Sequence, residues 1–300
     1  MELVFLGTAG MVPTKERNVQ SIYLDYNGTG ILLDCGEGTQ RQMQHAKLNA
    51  QKIKTILISH WHGDHVSGLV GLLQTIGNFS GQDAKPLRLF GPKGTKKYLN
   101  HLMNSCIFEK KVDLDVTEVD AKKLKTIFET EEYDISAINL DHSTPCIGYR
   151  FSIKPVRRMN QAKLTKLGIK GPNVGKLQEG KTIMHNGKKI NPDTISTITP
   201  GKSVAFIFDT QLVDACHDLA ENADLVVSEA VYLHELEHKA EQYKHMTAQQ
   251  AAQVASMAGA EELILTHFSQ RYKEVTLLEK EAKAVFPNTT CAYDFFKKKL

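Results

Sequence analysis

Short apolar runs recur along the first half of the chain at Leu3 to Leu6, Ser21 to Tyr26, Gly30 to Asp34 and Thr55 to Ser59, each of strand length. Gln40 to Ala46, Val66 to Phe79 and Thr95 to Ile107 instead carry apolar residues at helical spacing. Leu87 to Phe90, Asp113 to Val119 and Tyr133 to Leu140 continue the strands. From Ser203 the alternation is plainer: strand Ser203 to Phe208, helix Gln211 to Ala220, strand Leu225 to Glu229, helix Thr247 to Ala258, strand Glu262 to Thr266, helix Lys273 to Ala284. Grouped strands with helices between them predict a layered α/β or α+β body, its sheets packed together and its helices outside.

The rhythm breaks from Lys154 to Lys202, a stretch with no Phe, Tyr or Trp but with Gly168, Gly171, Pro172, Gly175, Gly180 and Gly187. Without large apolar side chains this segment is expected to bury no core of its own. It reads as an arm inserted between two strands of one domain spanning 1–300. Charge sharpens the reading. Lys154 to Lys189 holds ten Lys or Arg and one acid, Glu179, hence +9, which leaves −6 for the rest of a chain of net charge +3. The alternative is a solvated lysine-rich loop, but Gly-Pro turns and the size of the asymmetry favour a binding element for a polyanion.

Composition narrows the class. With 41% hydrophobic residues among 300, the chain can bury a full core. No run of about 18 apolar residues exists, so no transmembrane helix and no membrane partner are expected. The opening MELVFLGTAG lacks a charged n-region and predicts no secretory signal. Five scattered cysteines with no C-x-x-C pair predict reduced thiols in a cytoplasm.

Chemistry concentrates in "TILISHWHGDHVSGLVG", where His60, His62, Asp64 and His65 fall in the turn between an apolar strand and a helix. Imidazole and carboxylate suit a divalent metal such as zinc, and so short a turn cannot aim all four at one tetrahedral ion. Two ions are therefore expected, and they need further ligands. His142, Asp209 and His267 each follow an apolar strand, so all three can converge on one sheet edge, with Asp209 able to bridge. Two such ions, about 3.5 to 4 Å apart, can activate a shared water and stabilise both oxygens of a phosphoryl displacement.

The H-x-H-x-D-H turn with downstream His, Asp and His resembles the metallo-β-lactamase superfamily. "GTAGMVPTKERNVQSIYL", "LLDCGEGTQRQM", "DHSTPCIGYR", "AFIFDT", "LTHFSQRY" and the basic "GIKGPNVGKLQEGK" further resemble its tRNA 3′-processing endoribonucleases, the short-form ribonuclease Z family, from Leu3 to Tyr272. That resemblance implies a four-layer αβ/βα sandwich with a projecting basic arm at 154–202. It implies one zinc on His60, His62 and His142, a second on Asp64, His65 and His267, and Asp209 between them, with manganese or iron as other occupants. It gives Asp64 the role of base, and Glu229 with His245 that of delivering a proton to the leaving oxygen. Both motifs depart from the family wording while keeping the Glu and the His: "VSEAVY" and "KHMT" stand where His-Glu-Ala-Thr and His-Ser-Thr are usual. Lys163, Lys166, Lys170 and Lys176 of the arm, with Arg17 and Asn18 of "PTKERN", would contact precursor tRNA. A homodimer is implied in which each arm serves the partner's site.

"HELEH", His234 to His238, matches a zinc-protease signature, but the extended form needs Gly and His where this chain has Glu241 and Lys244. Two rivals stay open: a general zinc phosphodiesterase acting on small molecules, and an RNA-binding protein with a decayed metal site. A complete set of seven ligands weighs against decay.

Overall fold

Leu3, Val4, Phe5 and Leu6 are all fully buried, which successive residues of a strand achieve only where both faces of the sheet are covered. The computed structural model describes residues 1–79 and 86–300. In chain order the strands are β1 (Glu2–Gly7), β2 (Ser21–Tyr26), β3 (Thr29–Leu33), β4 (Ile53–Leu57), β5 (Leu87–Pro92), β6 (Leu114–Val119), β7 (Lys125–Glu129), β8 (Tyr133–Leu140), β9 (Cys146–Ile153), β10 (Val156–Met159), β11 (Ile183–His185), β12 (Lys188–Ile190), β13 (Ser196–Thr199), β14 (Ser203–Ile207), β15 (Leu225–Glu229), β16 (Leu263–Thr266), β17 (Thr289–Cys291) and β18 (Lys297–Lys299). Two seven-stranded sheets result, ordered β18-β1-β2-β3-β4-β5-β6 and β17-β16-β15-β14-β9-β8-β7.

Each sheet carries helices on one face. Val4, Leu6, Leu32, Ile56 and Leu89 pack against Leu69, Leu72 and Leu73 of helix Leu69–Phe79 and Leu99 of helix Thr95–Met103. Ala205, Ile207, Val226 and Leu265 pack against Leu219, Ala251, Ala255 and Leu278, from the three helices Asp214–Ala220, Ala248–Met257 and Thr276–Val285. Between the sheets, Tyr149 donates its hydroxyl to the Ile58 carbonyl at 2.8 Å and the Ile147 amide reaches Ser59 O at 3.0 Å. The αβ/βα order expected from the sequence is the order found. The predicted helix from Val66 is two pieces, Gly63–Val66 and Leu69–Phe79, and β7 and β9 were not among the expected strands.

The chain divides into two compact units, one of residues 1–128, 135–151 and 203–300, the other of 129–134 and 152–202. In the smaller, β10 pairs antiparallel with β13, and β11 with β12 through Asn186-Gly187, both at positive φ as a two-residue hairpin requires. Asn160 caps helix Gln161–Leu167, and Pro172 opens helix Pro172–Gln178. The expectation that this segment buries no core is wrong. Leu164, Ile169, Leu177, Ile183 and Ile195 form a buried cluster supported by Met159, Val174 and Ile190. Branched aliphatic side chains supply what absent aromatics do not. No described helix is long and apolar enough to cross a membrane.

Candidate metal centre

Strand ends bring the seven expected ligands together. His60 lies three residues past β4, Asp64 and His65 sit on the single turn Gly63–Val66, His142 and Asp209 each follow a strand by two residues, and His267 follows β16 directly. In the parallel register Ile207 faces Ser228 and Glu229 faces Thr266, so Asp209 and His267 both fall one step past the level of Glu229. His267 takes a left-handed φ of 58°, a conformation few side chains adopt without support. Gly10 provides it: a Cβ there would meet the His267 ring at 2.8 Å. Gly36 is needed for a similar reason, since its Cβ would lie 2.2 Å from the Asp64 carbonyl.

Asp209 divides its two oxygens. Oδ2 faces His60 Nε2 at 3.7 Å and His142 Nε2 at 3.9 Å, while Oδ1 faces His65 Nε2 at 3.3 Å and His267 Nε2 at 3.2 Å. Asp64 Oδ2 closes the second group, 3.4 Å from His65 Nε2 and 3.5 Å from His267 Nε2. His62 Nδ1 closes the first, 3.3 Å from His142 Nε2. Ligand atoms of His60, His62, His142 and Asp209 form one set within 4.8 Å of one another, and those of Asp64, His65 and His267 another.

Three of the outward nitrogens are fixed. His65 Nδ1 meets Asp34 Oδ2 at 2.7 Å, His142 Nδ1 meets Lys244 O at 2.9 Å, and His60 Nδ1 meets Ser59 Oγ at 3.0 Å. Each contact holds the other nitrogen towards the centre, as bound imidazoles require. The carboxylates call for positive charge at the centre. Burial and the neighbouring His65 hold His60 well below the ordinary imidazole range. Burial opposes charge on His65, yet Asp209, Asp34 and Asp64 together push it well above that range. Asp209 is itself held well below the carboxylate range against its burial, by His267, His65 and His60. His60 Nε2 and Asp209 Oδ1 are buried with no hydrogen-bond partner, a costly state that coordination would relieve. These residues fit divalent metal.

Beside them, His245 Nδ1 lies 3.1 Å from both oxygens of the fully buried Glu229 and 4.0 Å from Asp209 Oδ2. Burial works against a charged His245, but Glu229 outweighs it and the imidazole is raised to about 9. Glu229 also accepts from the amides of Thr210 and Met246. The departures from the family wording thus leave the Glu–His pair in contact.

Other candidates fare differently. Lys163, Lys166, Lys170 and Lys176 are exposed in the smaller unit. Arg17 is buried, its guanidinium donating to the carbonyls of Tyr272 and Lys273. Asn18 is half-buried, its side chain on Glu37 O at 2.8 Å. His234 opens a 3-10 turn and His238 lies in the following helix, and neither joins a metal-ligand cluster among the described residues. Asp34 went without a role in the sequence, although a carboxylate ending a buried strand was the available signal.

The chain is 38% identical to ribonuclease Z of Bacillus cereus strain AH187, over 98% of its own length and 97% of the relative's. Its structure is similar to the short form of human tRNase Z, with a TM-score of 0.73, 25% identity, and coverage of 100% of this chain and 99% of that one. The fold is shared with the metallo-β-lactamase fold protein YhfI of Bacillus subtilis, at a TM-score of 0.71 and 19% identity over 99% of this chain and 98% of that one. The family model described as Anti-Pycsar protein Apyc1 matches residues 1–168. The chain belongs to the ribonuclease Z family of metal-dependent endoribonucleases, and its residues 1–168 fall in the Apyc1 family as well.

Proposed function

We propose that this protein removes the 3′ trailer of tRNA precursors by hydrolysis after the discriminator nucleotide, leaving a 3′-hydroxyl, with zinc as the metal. The observation that carries the reading is Asp209, whose two oxygens face two separate ligand groups, the arrangement suited to in-line phosphoryl displacement. Full-length similarity to ribonuclease Z and the likeness to human tRNase Z supply the substrate class.

Divalent metal held by His60, His62, His142, Asp64, His65, His267 and Asp209 would make water more acidic near neutral pH and offset charge on the phosphodiester oxygens. The chain's own residues do the rest. Asp64, beside both His65 and His267, takes the proton as water attacks phosphorus. The bond from phosphorus to the 3′ oxygen of the discriminator breaks, the phosphate stays on the trailer, and His245, held protonated by Glu229, gives its proton to the departing oxygen. Lys163, Lys166, Lys170 and Lys176 bind phosphates of the tRNA body by charge and shape, with Asn18 towards the 3′ end. The protein acts as a cytoplasmic homodimer in which each arm serves the partner's site.

The test is a product map. Purified protein is incubated with a tRNA precursor bearing a 3′ trailer, with and without chelator, beside the Asp64→Ala variant. Chelator-sensitive cutting after the discriminator that needs Asp64 supports the proposal. No cutting by folded, metal-loaded protein overturns it in favour of a small-phosphodiester hydrolase.

A further inference from the structure

Asp294 lies in the turn between β17 and β18, remote in sequence from every metal ligand, yet it receives donors from three segments. Thr8 Oγ1 reaches Oδ1 at 2.8 Å, the Asn18 amide reaches Oδ2 at 2.7 Å, and Gln42 Nε2 reaches Oδ2 at 3.0 Å. The turn is itself pinned. Phe295, at a left-handed φ of 69°, donates its amide to Phe5 O at 2.7 Å, and the Phe5 amide returns to Phe296 O at 3.0 Å. A bulky residue keeps such a φ only where its surroundings impose it.

What Asp294 grips is the loop from Thr8 to Asn18. Its ends are joined, the amides of Thr8 and Ala9 both donating to Asn18 O, at 3.0 and 2.8 Å. Its middle faces the metal centre. The Met11 amide donates to Asp64 Oδ2 at 2.7 Å, Gly10 lies against the His267 ring, and the Phe268 amide and carbonyl pair with Thr8 O and Gly10 N at 2.8 and 3.0 Å. Asp64 is therefore held from a loop whose two ends close on one carboxylate.

We infer that Asp294 is a positioning residue of the reaction: by clamping Thr8 and Asn18 it sets where the Met11 N–H meets Asp64, and so the aim of that carboxylate and of the neighbouring His267. The inference rests on the metal-centre reading but not on the identity of the RNA. A half-buried group with three donors of this kind would otherwise be expected to act on the stability of the loop alone.

The experiment compares wild-type protein with Asp294→Asn and with the pair Thr8→Val and Thr8→Ser, all loaded with cobalt(II). Asparagine keeps the volume but replaces one acceptor oxygen with an NH2 that opposes the incoming donors. Valine removes the Thr8 donor while keeping its shape, and serine restores the donor. Three readouts are taken: the cobalt d–d absorption, hydrogen exchange over residues 8–18, and kcat and KM on bis(p-nitrophenyl) phosphate. For Asp294→Asn the expected result is shifted d–d bands at unchanged cobalt content, faster exchange of the loop, and kcat lower by about tenfold with KM within about twofold. Thr8→Val should follow it part of the way and Thr8→Ser should return to wild type. Wild-type bands and kcat in a protein whose loop exchanges faster would overturn the inference, leaving a structural tie only. Should Asp294→Asn not fold, the Thr8 pair decides: equal kcat and equal bands for valine and serine overturn it. The absorption and exchange readouts stand even if the wild type fails to cut tRNA precursors.

Discussion

His65 Nδ1 lies 2.7 Å from Asp34 Oδ2, and neither side chain reaches solvent. Asp34 also accepts from the amide and hydroxyl of Ser59, each at 2.7 Å. One carboxylate therefore orients His65 and secures the residue preceding His60. Asp34→Ala is expected to weaken metal binding by about 10- to 100-fold. Competition with a chromophoric chelator measures this, and affinity equal to wild type would remove Asp34 from the centre.

Asp209 faces both ligand groups, so Asp209→Ala should affect both at once. Metal content is expected to fall by more than one ion per chain, and hydrolysis should be abolished. Retention of one tightly held ion, found by elemental analysis after dialysis, would show that Asp209 belongs to one site only.

Glu229 raises His245 to about 9 against the effect of burial. If protonated His245 is the acid, activity is lost as pH rises through its pKa. Glu229→Gln removes the carboxylate and leaves the burial, so the alkaline limb of the kcat profile should move to lower pH. An alkaline limb unmoved in that variant would assign it to another group.

Gly10→Ala places a methyl 2.8 Å from the His267 ring, closer than atoms approach without a shift. The His267 ring must move, and the variant should lose activity while its unfolding midpoint changes little. Full activity would mean that the loop at Gly10 yields instead.

Neutralising Lys166, Lys170 and Lys176 together should weaken binding of precursor RNA and flatten its salt dependence by about one unit of logarithmic slope per lysine. Hydrolysis of bis(p-nitrophenyl) phosphate should be unchanged. Equal loss of both activities would make the arm structural.

The seven candidate ligands were legible because four fall in one short turn and His142, Asp209 and His267 each stand where an apolar strand runs out, a pattern that solvent exposure alone does not require. Glu229 and His245 came through resemblance only, since a buried Glu at a strand end and a His before a helix cap have ordinary readings. Asp34 escaped because its role depends on a partner 31 residues away, and no local pattern records that distance. The core of the smaller unit was missed because Leu164, Ile169, Leu177, Ile183 and Ile195 are spread over short elements too brief to show a period. Asp294 escaped because a carboxylate in a surface turn looks like any other until its donors are known.

Asp209, Glu229 and His267 stand at the ends of β14, β15 and β16, three neighbouring parallel strands whose heights are set by one hydrogen-bonded register. None of the three can leave the centre by local fraying, since strands buried on both sides open only with the sheet itself. Heating should therefore keep these three in place for as long as the native sheet persists: their departure from the centre and the loss of the sheet are one event.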